Sequence, residues 1–192
     1  MAETKFSTNN LRAVLQSHRG PSKGNKFSVQ FLNAPVIIPE DLSLLCETTS
    51  FPTRSAATTE HNVYGPVYQF PYRFTFTEMS MNFYLTEDMF AKTLFDDWQE
   101  KMINSQTSNL GFYEDYTCDI SIKKFSAIDT SMNAPDYNLT LMEAFPSIIG
   151  EIQLGHSLGN EVQRLPVTFL FKKWANSSIA GNFPNTGPPG RG

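Results

Sequence analysis

Hydrophobic and polar positions alternate with period two along several stretches of this chain, as they do in half-buried β-strands. Phe27, Val29 and Phe31 alternate with Ser28 and Gln30. Tyr116, Cys118, Ile120 and Ile122 alternate with Thr117, Asp119, Ser121 and Lys123, the clearest amphipathic strand of the sequence. Tyr137, Leu139 and Leu141 alternate with Asn138 and Thr140 in the next one. A further strand is expected over residues 42–48. Two more, with mixed faces, are expected over 145–154 and 160–171, closed by Trp174.

Two stretches break the pattern. Phe74 and Phe76 put apolar groups on one face of an extended segment, but Met79, Met81, Phe83 and Leu85 put them on the other. A strand cannot change parity without an added residue or a bend, so a bulge or sharp bend is expected near Glu78. The polar, Thr-rich passage 49–62 shows no alternation and reads as a long loop, a length that usually carries a function. Tyr64-Gly65-Pro66 then returns the chain to extended structure.

Helical spacing occurs twice. Asn9 or Asn10 can cap a short helix with Leu11, Val14 and Leu15 on one side, ended by Gly20-Pro21. Thr86 can cap a second, with Glu87 and Asp88 in its first turn and Ala91, Leu94, Phe95, Trp98 and Met102 as a stripe that packs on the sheet. The outcome is a mainly β chain with some α (α+β), of barrel or sandwich type with one packed helix. Residues 1–25 supply an N-terminal helix and linker, 26–174 the β domain, and 175–192 a Pro/Gly-rich tail expected to be flexible.

Composition narrows the function classes. A length of 192 residues suits one domain. A net charge of −4 and no basic cluster beyond Lys123-Lys124 or Lys172-Lys173 argue against a surface that grips nucleic acid. Charged residues form only 18% of the chain, as in a subunit with much of its surface in contacts or in one well-packed domain. Cys46 and Cys118 lack metal or redox spacing and read as buried free thiols. The N-terminus carries no apolar signal-like stretch and no span of membrane length occurs, so a soluble cytoplasmic chain is expected.

Catalytic motifs fail on inspection. Gly155-His156-Ser157-Leu158-Gly159 fits a nucleophile elbow, but no histidine follows it to accept the serine proton, and a strand-like segment with Pro166 replaces the required helix. It reads as a turn between strands. Residues 20–26 resemble a phosphate loop only superficially, with Asn25 where lysine is needed. His18, His61 and His156 share no ligand spacing. No catalytic, cofactor or metal site is expected.

Several features in this order resemble the tail tube proteins of T-even-like contractile-tailed bacteriophages. They are the helix over 10–17, the strand over 26–32, Leu45-Cys46-Glu47 followed by Phe51-Pro52, and Phe95-Asp96-Asp97-Trp98-Gln99. The most specific part is Phe145-Pro146, Gly150-Glu151-Ile152-Gln153-Leu154, Asn160-Glu161-Val162-Gln163 and Trp174. The resemblance covers residues 8–174; the passage 49–70 and the tail depart from it.

The resemblance implies a non-enzymatic virion protein, assembled in the host cytoplasm, whose strands join across a homo-hexameric ring into one continuous barrel. Rings stack into a tube, in a plan shared with type VI secretion and pyocin tubes. The implied partners are the sheath outside, tape-measure protein and transiting double-stranded DNA inside, and baseplate and terminator proteins at the ends. Lumen-facing candidates are Asp119, Ser121, Asn138, Thr140, Glu151 and Gln153; ring-stacking candidates are Thr53, Arg54, Ser55, Thr58, Thr59, Glu60 and His61. A tube-initiating baseplate or terminator protein is the alternative within this fold, and a monomeric β-sandwich binding module the alternative outside it.

Overall fold

The computed structural model describes residues 8–18, 20–61, 64–65, 67–126, 135–156 and 162–176. In chain order they form α1 (Thr8–Ser17), β1 (Phe27–Leu32), α2 (Glu40–Leu45), β2 (Cys46–Thr49), β3 (Arg54–His61), β4 (Tyr68–Phe76), β5 (Met79–Tyr84), α3 (Phe90–Met102), α4 (Tyr113–Tyr116), β6 (Cys118–Lys124), β7 (Tyr137–Ile149), β8 (Arg164–Leu170) and β9 (Lys173–Asn176). One sheet has the order β1-β6-β7-β8-β5-β2, with β9 also paired to β7; β3 and β4 make a separate two-stranded ribbon. All pairings are antiparallel. Among the described residues the large sheet is open: β1 and β2 are its ends, and it closes no barrel within one copy.

The core forms where the apolar face of this sheet meets α3. Met79, Met81 and Phe83 of β5 and Leu165, Val167 and Phe169 of β8 are fully covered, as are Ala91, Phe95 and Trp98 of α3. Trp98 sits among Phe31, Phe95 and Phe169, each with its ring centre 6.3 Å away. Its indole N–H is not left unsatisfied: Nε1 donates to the Tyr116 carbonyl at 2.7 Å. The helical stripe expected from the sequence is this contact surface.

β7 is the backbone of the sheet, and it bends twice. Cys118 faces Ala144 while Ile120 faces Leu141, so β7 carries one extra residue opposite Asp119. Glu143 adopts φ 55° there, and its N–H is taken up by Asp119 Oδ1 at 3.1 Å. Before this bulge β7 pairs β9; beyond it, β8. A second register shift leaves Ser147 unmatched, next to Pro146, which lacks an N–H for the ladder. Gln99 of α3 donates to the carbonyls of both, Pro146 and Ser147, at 3.3 Å, tying the helix to the bend.

The structure corrects several expected boundaries. Residues 42–48 are not one strand: Pro39 precedes a helix with Glu40 and Asp41 in its first turn, which puts Leu42 in the core, and only then does β2 begin. Passage 49–62 is not a loop, since it contains β3 paired with β4. α3 starts at Phe90 rather than after Thr86; Asp88 Oδ1 accepts the Phe90 N–H at 3.3 Å, and Thr86 hydrogen-bonds that same carboxylate. The strand expected over 145–154 is the far half of β7 and stops at Ile149. Its neighbour across the sheet there is Pro166, whose carbonyl accepts the Gly150 N–H at 2.7 Å but which has no N–H to extend the ladder. The parity change at residues 76–79 is confirmed as a break: β4 belongs to the ribbon and β5 to the main sheet. Of the expected tail, Ala175 and Asn176 belong to β9, and residues 177–192 lie outside the described residues.

Candidate functional site

The sheet has a second face, opposite α3, and it is mostly polar, with Leu32, Ile148 and Leu170 exposed on it as apolar exceptions. Strand register assigns it Gln30, Asp119, Ser121, Lys123, Asn138 and Thr140 at the β1–β6–β7 end. At the β8–β5–β2 end the same face carries Arg164, Thr168, Ser80, Asn82, Tyr84 and Thr48. Most of these groups are engaged laterally. Ser121 Oγ donates to Asn138 Oδ1 at 2.9 Å, Lys123 Nζ to Gln30 Oε1 at 2.7 Å, and Asn82 Nδ2 to Thr48 Oγ1 at 2.8 Å.

Of the two cations assigned to this face, Lys123 is bound to the neutral Gln30 amide and Arg164 is matched by a carboxylate. Arg164 bridges to Glu47 through Nε at 2.5 Å and Nη2 at 3.0 Å, and the Tyr84 hydroxyl donates to the same carboxylate at 2.8 Å. The hydrogen bonds from Arg164 and Tyr84 hold the Glu47 carboxyl below the usual carboxylate range, and the same contacts raise Tyr84 and Arg164. Lys172 Nζ pairs with Glu143 at 2.7 Å. A surface of this kind offers polyanions little uncompensated positive charge.

Four of the expected lumen residues, Asp119, Ser121, Asn138 and Thr140, thus share one face of β6 and β7. Two of them have structural tasks: Asp119 holds the bulge, and Ser121, only 3% exposed, is bonded to Asn138. Glu151 and Gln153 are exposed but follow the end of β7 and sit on no strand.

The expected stacking residues lie on β3 or, for Thr53, just before it. Arg54, Ser55, Thr58, Thr59, Glu60 and His61 are all exposed, with no sheet or helix over either face of the ribbon among the described residues. Sequence reasoning did not single out the partner strand, β4. Tyr68, Phe70, Tyr72 and Phe74 of β4 are 54–60% exposed. Tyr72 is the extra residue of a bulge opposite Ala57 and Thr58. The ribbon is rooted at one end only: the Arg54 guanidinium lies 4.8 Å from the ring centres of Phe74 and Trp174, and Phe76 meets Phe171 and Trp174. A bare two-strand ribbon is marginal alone in water, and exposed aromatic runs mark contact surfaces.

Cys46 and Cys118 are buried free thiols, as expected. Burial pushes the Cys46 thiol up to about 12 and raises that of Cys118 as well, with Asp119 adding to the latter. Of the Gly-bounded turn, Gly155 and His156 are exposed, and Ser157, Leu158 and Gly159 lie outside the described residues, as do Asn160 and Glu161. No group of three or more potential metal ligands occurs among the described residues. No helix of the described residues is long and apolar enough to cross a membrane.

No curated protein matches the sequence. Among solved structures, the fold is similar to the sheath-tube complex of an extracellular contractile injection system, PVC, in its extended state. That match has TM-score 0.60 and 16% identity, covering 90% of this chain and 99% of that one. The tube terminating cap of the anti-feeding prophage matches with TM-score 0.60 and 13% identity, over 82% of this chain and 91% of that one. The PVC sheath/tube terminator matches with TM-score 0.59 and 16% identity, over 82% and 96%. At such identities these likenesses speak for the fold. Residues 17–177 match the phage tail tube protein family as a whole, and the chain belongs to that family.

Proposed function

We propose that this chain is the repeating subunit of a tail tube: copies join edge to edge into a hexameric ring, and rings stack into a hollow filament. The observation that carries this reading is the unfinished sheet. Among the described residues β1 and β2 end it without outer partners, and unpaired strand edges are a standing invitation to another strand. Union of β1 with the β2 of a sister copy satisfies both edges and, repeated round a ring, closes a barrel.

In this arrangement α3 lies outside and the polar face lines the bore. Its hydrogen-bonded side chains and scarce uncompensated positive charge suit a conduit through which DNA slides, because a cationic wall would bind the phosphates and release their counterions. The β3–β4 ribbon projects its aromatic residues toward the next ring. The sheath contacts the outside, and tape-measure protein occupies the bore before DNA.

Negative-stain electron microscopy of the purified protein tests the reading. Hollow filaments are the expected result, and a monodisperse monomer at high concentration contradicts it. A second reading, that of a terminator or tube-initiating subunit, is favoured by the two neighbours described as terminators. It predicts rings that never elongate.

A further inference from the structure

We propose that α1 of one copy seats in the groove beside α3 of a neighbouring copy, strapping adjacent subunits together. This rests on the subunit reading above and adds a contact to it. Leu11, Val14 and Leu15 give α1 an apolar side, yet no α1 residue is buried, and Leu11 and Val14 remain 46% and 55% exposed. A helix of ten residues is marginal by itself in water, so its apolar side calls for a cover.

The same chain leaves a matching surface open. A groove of about 1000 Å³ runs along the outer side of α3, walled by residues 36–37 and 104–111. Ile37 and Leu110 on its walls are 95% and 72% exposed. A ten-residue helix is about 15 Å long and roughly 10 Å across, so a groove of this size takes its apolar half.

Charge agrees with shape. α1 carries Arg12 and no acid. The groove carries Asp97, exposed and unpaired among the described residues, with Glu100 one turn on. Lys101 also lines the groove, its Nζ bound to the Pro35 carbonyl, so Asp97, Glu100 and Lys101 together leave the groove one negative charge in excess. The nine residues 18–26 join α1 to β1, the terminal strand of the sheet, and extended they reach about 30 Å. The arm therefore leaves from an edge where a neighbour joins. Arm and groove are different patches on one copy, so the contact is head-to-tail and repeats round a ring.

Cysteine trapping tests the seat. Val14→Cys and Ile37→Cys are made in separate full-length chains, mixed and mildly oxidised; the buried native thiols do not compete. A covalent dimer as the main product, and a ladder beyond dimer from the double variant, are expected. Only an intrachain-bridged monomer from the double variant overturns the proposal. Rings seen by microscopy without any cross-link overturn it too, and leave the subunit reading intact; absence of rings from the unmodified protein removes both. Independently, Asp97→Arg raises the concentration needed for assembly by roughly fivefold, as losing an exposed ion pair and gaining a repulsion would. Arg12→Asp in the same chain restores it. An unchanged assembly concentration for Asp97→Arg contradicts the seat.

Discussion

β4 and β5 are joined by two residues, yet they live in opposite circumstances. β5 alternates strictly, with Met79, Met81 and Phe83 sealed under α3 and Ser80, Asn82 and Tyr84 turned away. β4 is richer in aromatic side chains, five of nine residues against two of six in β5, and is almost wholly exposed. Alternation in β5 encodes a core inside one copy; on the proposed reading, the uncovered aromatic side chains of β4 are a surface for burial between copies, so that one segment serves the fold and the other the assembly.

The contrast breaks most sharply in the core. Trp98→Ala removes a fully buried indole and its bond to Tyr116, and should cost about 3–5 kcal/mol of monomer stability, read by thermal or denaturant unfolding. Phe70→Ser in the ribbon should change monomer stability by no more than about 0.5 kcal/mol while abolishing filaments. Equal destabilisation by the two would erase the distinction drawn here.

Gly150→Ala should cost on the order of 1–3 kcal/mol, because an added Cβ would lie 2.5 Å from Pro166 Cγ and 3.0 Å from the Pro166 carbonyl oxygen. The effect should appear in unfolding curves, and a neutral result would show that β7 and β8 part easily beyond Ile149. Acid sharpens the comparison at the β2 edge. Glu47 has a folded pKa lowered below its ordinary 4.5, so its contribution is present above that value and lost as pH falls through the lowered one. The protection of β2 amides, relative to their free-peptide exchange rates, should therefore fall in acid, below pH 4.5, before that of the core under α3. In Glu47→Gln this acid step should vanish.

The smallest effect concerns the thiols. With Cys46 and Cys118 buried and their thiols raised by burial, neither should react with a thiol reagent at neutral pH until the protein unfolds. Rapid labelling of the native protein would show that the sheet opens locally.

Local alternation made β1, β6 and the start of β7 readable in the sequence, and helical spacing made α3 readable. What stayed hidden has physical causes. β3 has no apolar face, since its environment is solvent on both sides within one copy, so Thr58 and Thr59 looked like loop. α2 hid because Leu42, Leu44 and Cys46 fit a period of two as well as Leu42 and Leu45 fit a turn of helix. The bulge at Glu143 shows only in burial, which runs odd through Leu139 and Leu141 and then even at Ala144 and Pro146; in the sequence Met142, Phe145 and Ile148 are apolar on the other face and mask it. The polar face was legible as alternation, whereas the Glu47–Arg164 pairing joins residues far apart in the chain and left no local signal.

Hydrogen–deuterium exchange, compared between dissociated copies and assembled protein, addresses the incomplete sheet most directly. Assembly should strongly protect the amides of β1, β2 and the β3–β4 ribbon while leaving those of β5 and β8, already paired on both sides, nearly unchanged. Assemblies in which the β1 and β2 amides exchange as fast as in the free copy would contradict strand union across the edges.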